Sequence, residues 1–262
     1  MTPSLIFDIE TIPDVEGLRK IHAIDNAVTD EQVAAMAFQK RRQATGSDFL
    51  PLHLHRVIAI ACVLRERDSL RVWSLGEPDD GEGELIQRFF DGIEKYTPQL
   101  VSWNGGGFDL PVLHYRGMMH GVHAPRYWDQ GEGSYNDSRD FKWNNYISRY
   151  HARHLDLMDL LALYQPRAAA PLDEVARLLG FPGKIGLEGS RVWQAWQNGE
   201  IGAIRGYCEA DVANTYLVYL RFQAMRGAMA ADAHRREVDL LRATLEKSPD
   251  RHWREFLSLW PR

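Results

Sequence analysis

The first apolar run is Leu5, Ile6 and Phe7. Ile9 continues it, while Asp8 and Glu10 interrupt it two residues apart. The run predicts a strand over about residues 4–9. Residues 56–66 and 69–76 read as two further strands. The short polar turn at Arg67-Asp68 joins them as a hairpin. Helical spacing then marks residues 83–96, a strand follows over 99–105, and 109–121 resumes as a helix with Pro111 in its first turn. Residues 124–150 are aromatic and loop-rich, and 153–164 read as a short strand running into a helix. Helices are expected over 171–180, stopped by Gly180, and over 201–225, with a glycine-punctuated loop at 181–190. The last 35 or so residues are helical and charged in pattern. Residues 14–50 read as an insertion carrying one helix near 30–43, with Thr29 or Asp30 as its N-cap. Antiparallel strands followed by strand–helix crossovers predict an α/β fold, a mixed sheet covered by helices. The triplet Gly105-Gly106-Gly107 lacks the GxGxxG spacing of a dinucleotide-binding turn.

Composition narrows the class. With 262 residues, 45% hydrophobic and 26% charged, the chain is an ordinary globular one with a sizeable core. Its two cysteines, Cys62 and Cys208, form no CxxC pair, so a disulfide framework is not expected and a reducing cytoplasm is. No basic segment followed by an apolar stretch opens the chain, and no apolar run approaches the roughly 18 residues of a membrane span. The formal net charge of −5 argues against a protein that coats nucleic acid by electrostatics alone. It leaves room for an enzyme that grips a nucleic-acid end through metal ions.

Three segments carry candidate chemistry. On a strand, residues i and i+2 share a face, so Asp8 and Glu10 point the same way. Such a pair should not stay doubly ionised without compensation. Alone it reads as a solvated strand end. Asp109, at a strand–helix junction, reads alone as an N-cap. Tyr207 and Asp211 lie four apart on one helix face and alone read as a structural pair. Taken together, four carboxylates at such places are best explained by divalent cations with oxygen ligands, Mg²⁺ or Mn²⁺. Cation charge would let Asp8 and Glu10 ionise together.

The segments "FDIET", "NGGGFDLPVL" and "YCEADV" resemble, in order, the three motifs of the DEDD 3′–5′ exonucleases, of ribonuclease-H-like fold. Tyr207 places the resemblance in the tyrosine branch. "LPLHLHRVIAIACV", "RHLDLMDLL" and "GFPGKIGLEGSRVW" extend it to stand-alone bacterial proteins related to the proofreading domain of family B DNA polymerases. The resemblance covers about residues 4–225. It implies an exonuclease domain over 1–225, built on a ribonuclease-H-like mixed five-stranded sheet, and a C-terminal helical extension over 226–262. It implies phosphodiester hydrolysis from a 3′ end by two metal ions. Asp8, Glu10 and Asp211 would hold one, and Asp8 with Asp109 the other. Tyr207, too weak a base at neutral pH, would orient the attacking water.

Asn104 and Phe108 are candidate substrate contacts, Phe108 equally a core residue. Ile9 and Thr11 flank the first acids and are candidates for the terminal nucleotide, Thr11 equally a local cap. The stretch 184–189 offers a backbone-rich edge near phosphate or a plain loop. His114, His120 and His123 complete no zinc pattern and read as surface or loop histidines. Asp156 ends a strand that borders the candidate site and reads as a supporting residue before a metal ligand. The aromatic and basic residues of 143–153 line a nucleic-acid groove or pack the long loop. Lys40-Arg41-Arg42 reads as a solvated helix end. The expected partner is nucleic acid, DNA favoured over RNA, with no membrane and with protein partners unspecified. The alternatives are a 3′–5′ exoribonuclease with the same site and an inactive nucleic-acid-binding module.

Overall fold

In the computed structural model, which describes residues 2–261, five strands form one sheet in the order β3-β2-β1-β4-β5. They are β1 (Ser4–Pro13), β2 (His55–Glu66), β3 (Ser69–Ser74), β4 (Gln99–Ser102) and β5 (His154–Asp156). β2 pairs antiparallel with β1 and β3, while β4 runs parallel to β1 and β5 parallel to β4. The helices are α1 (Val15–His22), α2 (Asp30–Thr45), α3 (Glu82–Tyr96), α4 (Asp109–His120), α5 (Ser138–Phe141), α6 (Leu157–Leu161), α7 (Leu172–Leu178), α8 (Val192–Gln197), α9 (Ile201–Met225), α10 (Ala231–Glu246) and α11 (Arg251–Ser258). The expected ribonuclease-H-like mixed five-stranded sheet with flanking helices is the observed architecture. No helix among the described residues is long and apolar enough to cross a membrane.

The period-2 pattern of β1 sorts its side chains between two cores. Leu5, Phe7 and Ile9 join Ile60, Cys62 and Leu64 of β2 beneath α3 and α4. Ile6 faces the other way, into the core shared with α9. Asp8 and Glu10 follow Ile6 on that face, which directs both carboxylates toward α9. The sequence places the strand's end near Ile9, but the structure carries it to Pro13. A shift in register between Glu10 and Thr11 lets pairing with β2 continue at Thr11 and Val57. Such a bulge re-aims side chains near a site.

α9 is buried along most of its length, from Ile204 to Gln223. The sheet covers one side and α7, α10 and α11 cover the other. Trp253, Phe256 and Trp260 from the C-terminal segment join Tyr216, Leu217 and Leu220 in the same core. A helix apolar on all sides is stable only when so enclosed.

Residues 14–50 hold two helices where the sequence suggested one. Asp14 caps α1, and Thr29 caps α2 in a reciprocal box with Gln32. α1 and α2 bury their own small core of Val15, Leu18, Val33, Ala34, Leu50 and Leu54. Arg41 and Arg42 bond Phe49 O (3.0 Å) and Asp48 (2.7 Å), so the basic run fastens its own C-terminal turn. A buried network ties this unit to the body. The Arg116 guanidinium on α4 bonds Glu82 at 2.5 and 2.8 Å and also reaches Asp14. Glu82 in turn accepts from the Val57 N–H at 2.7 Å and bonds His120 Nε2 at 2.7 Å. All three charged residues of the core triad, Asp14, Glu82 and Arg116, are buried.

Candidate active site

Asp8 and Glu10 leave β1 on its α9 face, and Tyr207, Cys208 and Asp211 meet them from α9. The Cys208 thiol lies 3.4 Å from Asp8 O and 3.7 Å from Asp8 Oδ2. One ligand atom from each of Asp8, Glu10 and Cys208 falls within a 4.8 Å cluster. Asp109, first residue of α4, accepts the Ile9 N–H at 3.1 Å through Oδ1. That bond brings the strand–helix junction to the residue between the first two acids.

The glycine loop before Asp109 is fitted to its surroundings. A Cβ on Gly105 would sit 2.4 Å from Ser102 Oγ, and one on Gly107 2.5 Å from Asn104 Oδ1. Asp156, at the end of β5, holds the loop from the other side. Its carboxylate accepts the N–H groups of Asn104 and Gly106, each at 2.9 Å, and of Asp159 at 3.2 Å. It thereby braces the loop that precedes Asp109. His154 Nε2 bonds Ser102 Oγ at 2.8 Å, and burial pushes the His154 pKa down to about 4, so the ring is neutral.

Electrostatically the acids are in conflict. Burial raises the Asp8 pKa well above the usual carboxylate range, and repulsion from Asp109, Glu10 and Asp211 adds to it. Burial and Asp211 do the same to Glu10, which Lys184 partly relieves. Burial lifts Asp109 to about 7 against the bonds its carboxylate accepts. Asp211 is raised by burial and eased by Lys184 and Tyr207. Its Oδ1 is buried without a hydrogen-bond partner among the described residues.

Lys184 is the functional candidate that sequence reasoning did not single out. The 181–190 loop brings its ammonium 2.6 Å from Tyr207 Oη and 3.4 Å from Asp211 Oδ2. Burial works against that charge, but Asp211, Asp8 and Glu10 outweigh it and raise the Lys184 pKa. The sequence signal was the glycine-punctuated stretch 184–189, read for its backbone near phosphate or as a plain loop and not for the lysine side chain. Burial, reinforced by Asp211, drives the Tyr207 phenol far above its ordinary pKa, so it stays protonated at neutral pH.

The four remaining predicted contacts lie beside the acids. Ile9 is buried and offers its N–H to Asp109. Thr11 Oγ1 is engaged with His55 Nδ1 at 2.9 Å, while His55 Nε2 faces Leu50 O at 3.1 Å. Asn104 takes a left-handed backbone (φ 66°) and its carbonyl accepts the N–H groups of Gly107 and Phe108. Phe108 is half-buried, edge-on to His55 and 5.6 Å from the Phe49 ring. Of the three histidines read as surface or loop residues, His114 and His120 lie on α4 and are engaged. His114 is half-buried and bonds Tyr127 Oη at 2.9 Å, and His120 bonds Glu82. The sequence could not show these partners, which come from distant segments.

The donor set fits divalent cations. It is built of carboxylates whose mutual repulsion burial makes worse, and Asp211 Oδ1 is an orphaned acceptor among them. A ribonuclease-H-like α/β sheet with converging acids on β1, α4 and α9 defines the class. The chain belongs to the family described as predicted 3′–5′ exonucleases related to the exonuclease domain of PolB, whose model matches residues 47–260. The match takes in Asp109, Lys184, Tyr207 and Asp211 and leaves Asp8 and Glu10 outside it. No curated protein matches the chain.

Proposed function

We propose that this chain hydrolyses nucleic-acid strands from the 3′ end, single-stranded DNA or frayed 3′ ends before RNA, at the site formed by Asp8, Glu10, Asp109, Tyr207 and Asp211. The observation that carries the reading is a buried Asp8 close enough to Glu10, Asp109 and Asp211 to feel the charge of all three, with one Asp211 oxygen unpartnered among the described residues, in a chain of this family. Two ions of Mg²⁺ or Mn²⁺, held by Asp8, Glu10 and Asp211 and by Asp8 and Asp109, would activate water and stabilise the leaving 3′ oxygen.

The chain's own groups do the positioning. Tyr207 accepts a hydrogen bond from Lys184 Nζ, which fixes its oxygen and leaves its proton to donate to the attacking water. Since the phenol does not ionise near neutrality, it orients water rather than deprotonating it. The Lys184 ammonium offsets carboxylate repulsion and adds positive charge where phosphate would arrive. Asn104 and Phe108 present an amide and a ring toward sugar and base.

The test is a 5′-labelled strand, in matched DNA and RNA forms, incubated with Mg²⁺, Mn²⁺ or EDTA. A ladder of shortening labelled products with either metal and none in EDTA is expected. Immediate release of the label as a mononucleotide, or full activity in excess EDTA, overturns the reading. In the same assay Tyr207→Phe should lose about 10²-fold in single-turnover rate, the low end for a positioned proton-handling group. Its Mn²⁺ affinity should stay near wild type, because all four acids remain. Wild-type turnover in that variant would remove Tyr207 from the mechanism.

A further inference from the structure

The parallel strands β1, β4 and β5 end at one edge of the sheet, where α/β proteins place ligands. On the β4–β5 side of that edge, against the loop that precedes Asp109, lies a cavity of about 850 Å³. It is at the upper end of the roughly 300–1,000 Å³ usual for ligand sites. Asn104, Gly106 and Gly107, from the loop that delivers Asp109, form one wall. Tyr150, Tyr164 and Arg149, from the long aromatic loop and the turn after α6, also line the cavity.

We propose that this cleft holds the single-stranded segment immediately upstream of the terminal nucleotide, with its bases stacked on Tyr150 and Tyr164. The proposal rests on the exonuclease reading above. Its wall is continuous with the glycine loop, so a strand whose end reaches the acids has the cleft beside it. The ring array is fixed and accessible. Tyr150 is 73% exposed, its ring meets Tyr164 edge-on at 5.1 Å, and the Arg149 guanidinium covers Tyr164 at 5.1 Å. Base–aromatic stacking of this kind is tolerant of sequence.

The charges suit a phosphate chain. Of the two carboxylates lining the cleft, Asp156 is occupied by three N–H groups, and Asp159 is paired with Arg149 at 2.5 and 2.6 Å. Arg226 lines the same space, makes no ion pair among the described residues, and donates through Nε to Gln223 Oε1 at 2.6 Å. The backbone adds an independent sign. Leu163 and Tyr164 are consecutive left-handed residues, with φ of 49° and 60°, and neither is glycine. Bonds from Leu163 N to Leu160 O and from Tyr164 N to Asp159 O hold them there. Bulky side chains rarely adopt this conformation, and such strain clusters at ligand clamps. Leu163 nonetheless keeps 71% of its surface in solvent.

The experiment compares kcat/KM for 5′-labelled DNA strands of two and eight nucleotides, with the full chain and Mn²⁺. Wild type should prefer the octanucleotide. Tyr164→Ala and Tyr150→Ala should each shrink that preference, about tenfold for Tyr164, the low end of one stack. Tyr164→Phe, which keeps the ring, should preserve it. Unchanged preference in both alanine variants overturns the proposal. So does a mononucleotide inhibiting wild type but not Tyr164→Ala with the length preference intact, which makes the cleft a product site. If Tyr164→Ala does not fold, the exposed Tyr150→Ala variant decides. Should wild type hydrolyse neither strand, the exonuclease reading fails by itself. Fluorescence anisotropy of the octanucleotide then judges the cleft: tyrosine-dependent binding supports it, and tyrosine-independent binding or no binding overturns it.

Discussion

Replacing Asp8 with asparagine should abolish turnover and, in metal-free buffer, raise the melting temperature. The two signs have one cause. Asp8 sits where burial and three neighbouring carboxylates, Asp109, Glu10 and Asp211, all oppose its charge. Asparagine keeps the shape and removes the charge, so the metal-free fold is relieved. The same loss removes the ligand shared by both proposed ion sites. Metal-borne charge stabilisation is worth several kcal/mol of barrier. At 1.36 kcal/mol per tenfold, the expected loss is roughly 10³-fold or more. Mn²⁺ should raise the melting temperature of wild type and do little for Asp8→Asn.

The pH dependence follows from the direction of the shifts. The folded pKa values of Asp8, Glu10, Asp109 and Asp211 lie above their unfolded values. In metal-free protein their contribution to stability is therefore fully present below about pH 4 and is lost as pH rises through the folded values, about 7 for Asp109. The Mn²⁺ gain should be larger at pH 8 than at pH 5. Calorimetric scans of both proteins with Mn²⁺ and EDTA measure this. A lowered metal-free melting temperature in Asp8→Asn would mean that inactivation came from damage to the fold.

Arg116→Met should be the most destabilising single change outside the site. It leaves Asp14 and Glu82 buried without their cation. Removing one partner of a buried ion pair costs about 3–5 kcal/mol. For a chain of this size that is on the order of 10 °C in melting temperature. Adding Glu82→Gln should recover part of it, because one stranded charge disappears. Urea titrations of the single and double variants give the comparison. A loss below about 1 kcal/mol would show that water reaches the triad and solvates its charges.

The sheet, its order of elements and the long α9 were legible because their apolar spacing is regular. α9 lies over the residues its pattern marked. The end of β1 was hidden because its acids break the alternation where the bulge begins. α1 was missed because it is short and its apolar face packs on α2, the turn before β2 and Trp193 of α8, all distant from it in pattern. The juxtaposition of Asp8, Asp109 and Asp211 could be anticipated from motifs, since each sits at an element end or face with a defined direction. Lys184, Cys208 and the Arg116 network could not. Each depends on where a loop or a distant helix comes to rest, and no local spacing encodes that.

The hydrogen bond from Ile9 to Asp109 and the seat of Asp8 against Cys208 span most of the chain. Asp8 leaves the ribosome early, Asp109 much later, and Asp211 only when α9 is complete. Contacts so far apart in sequence form late and slowly. A nascent chain ending before α9 holds three of the four acids but lacks Tyr207, Asp211 and the long helix that carries them. On the proposed function, the polypeptide would thus carry no assembled site until α9 is made. On that reading the order of segments along the chain would itself delay the site, because its last acid arrives on the helix made after the other three are in place.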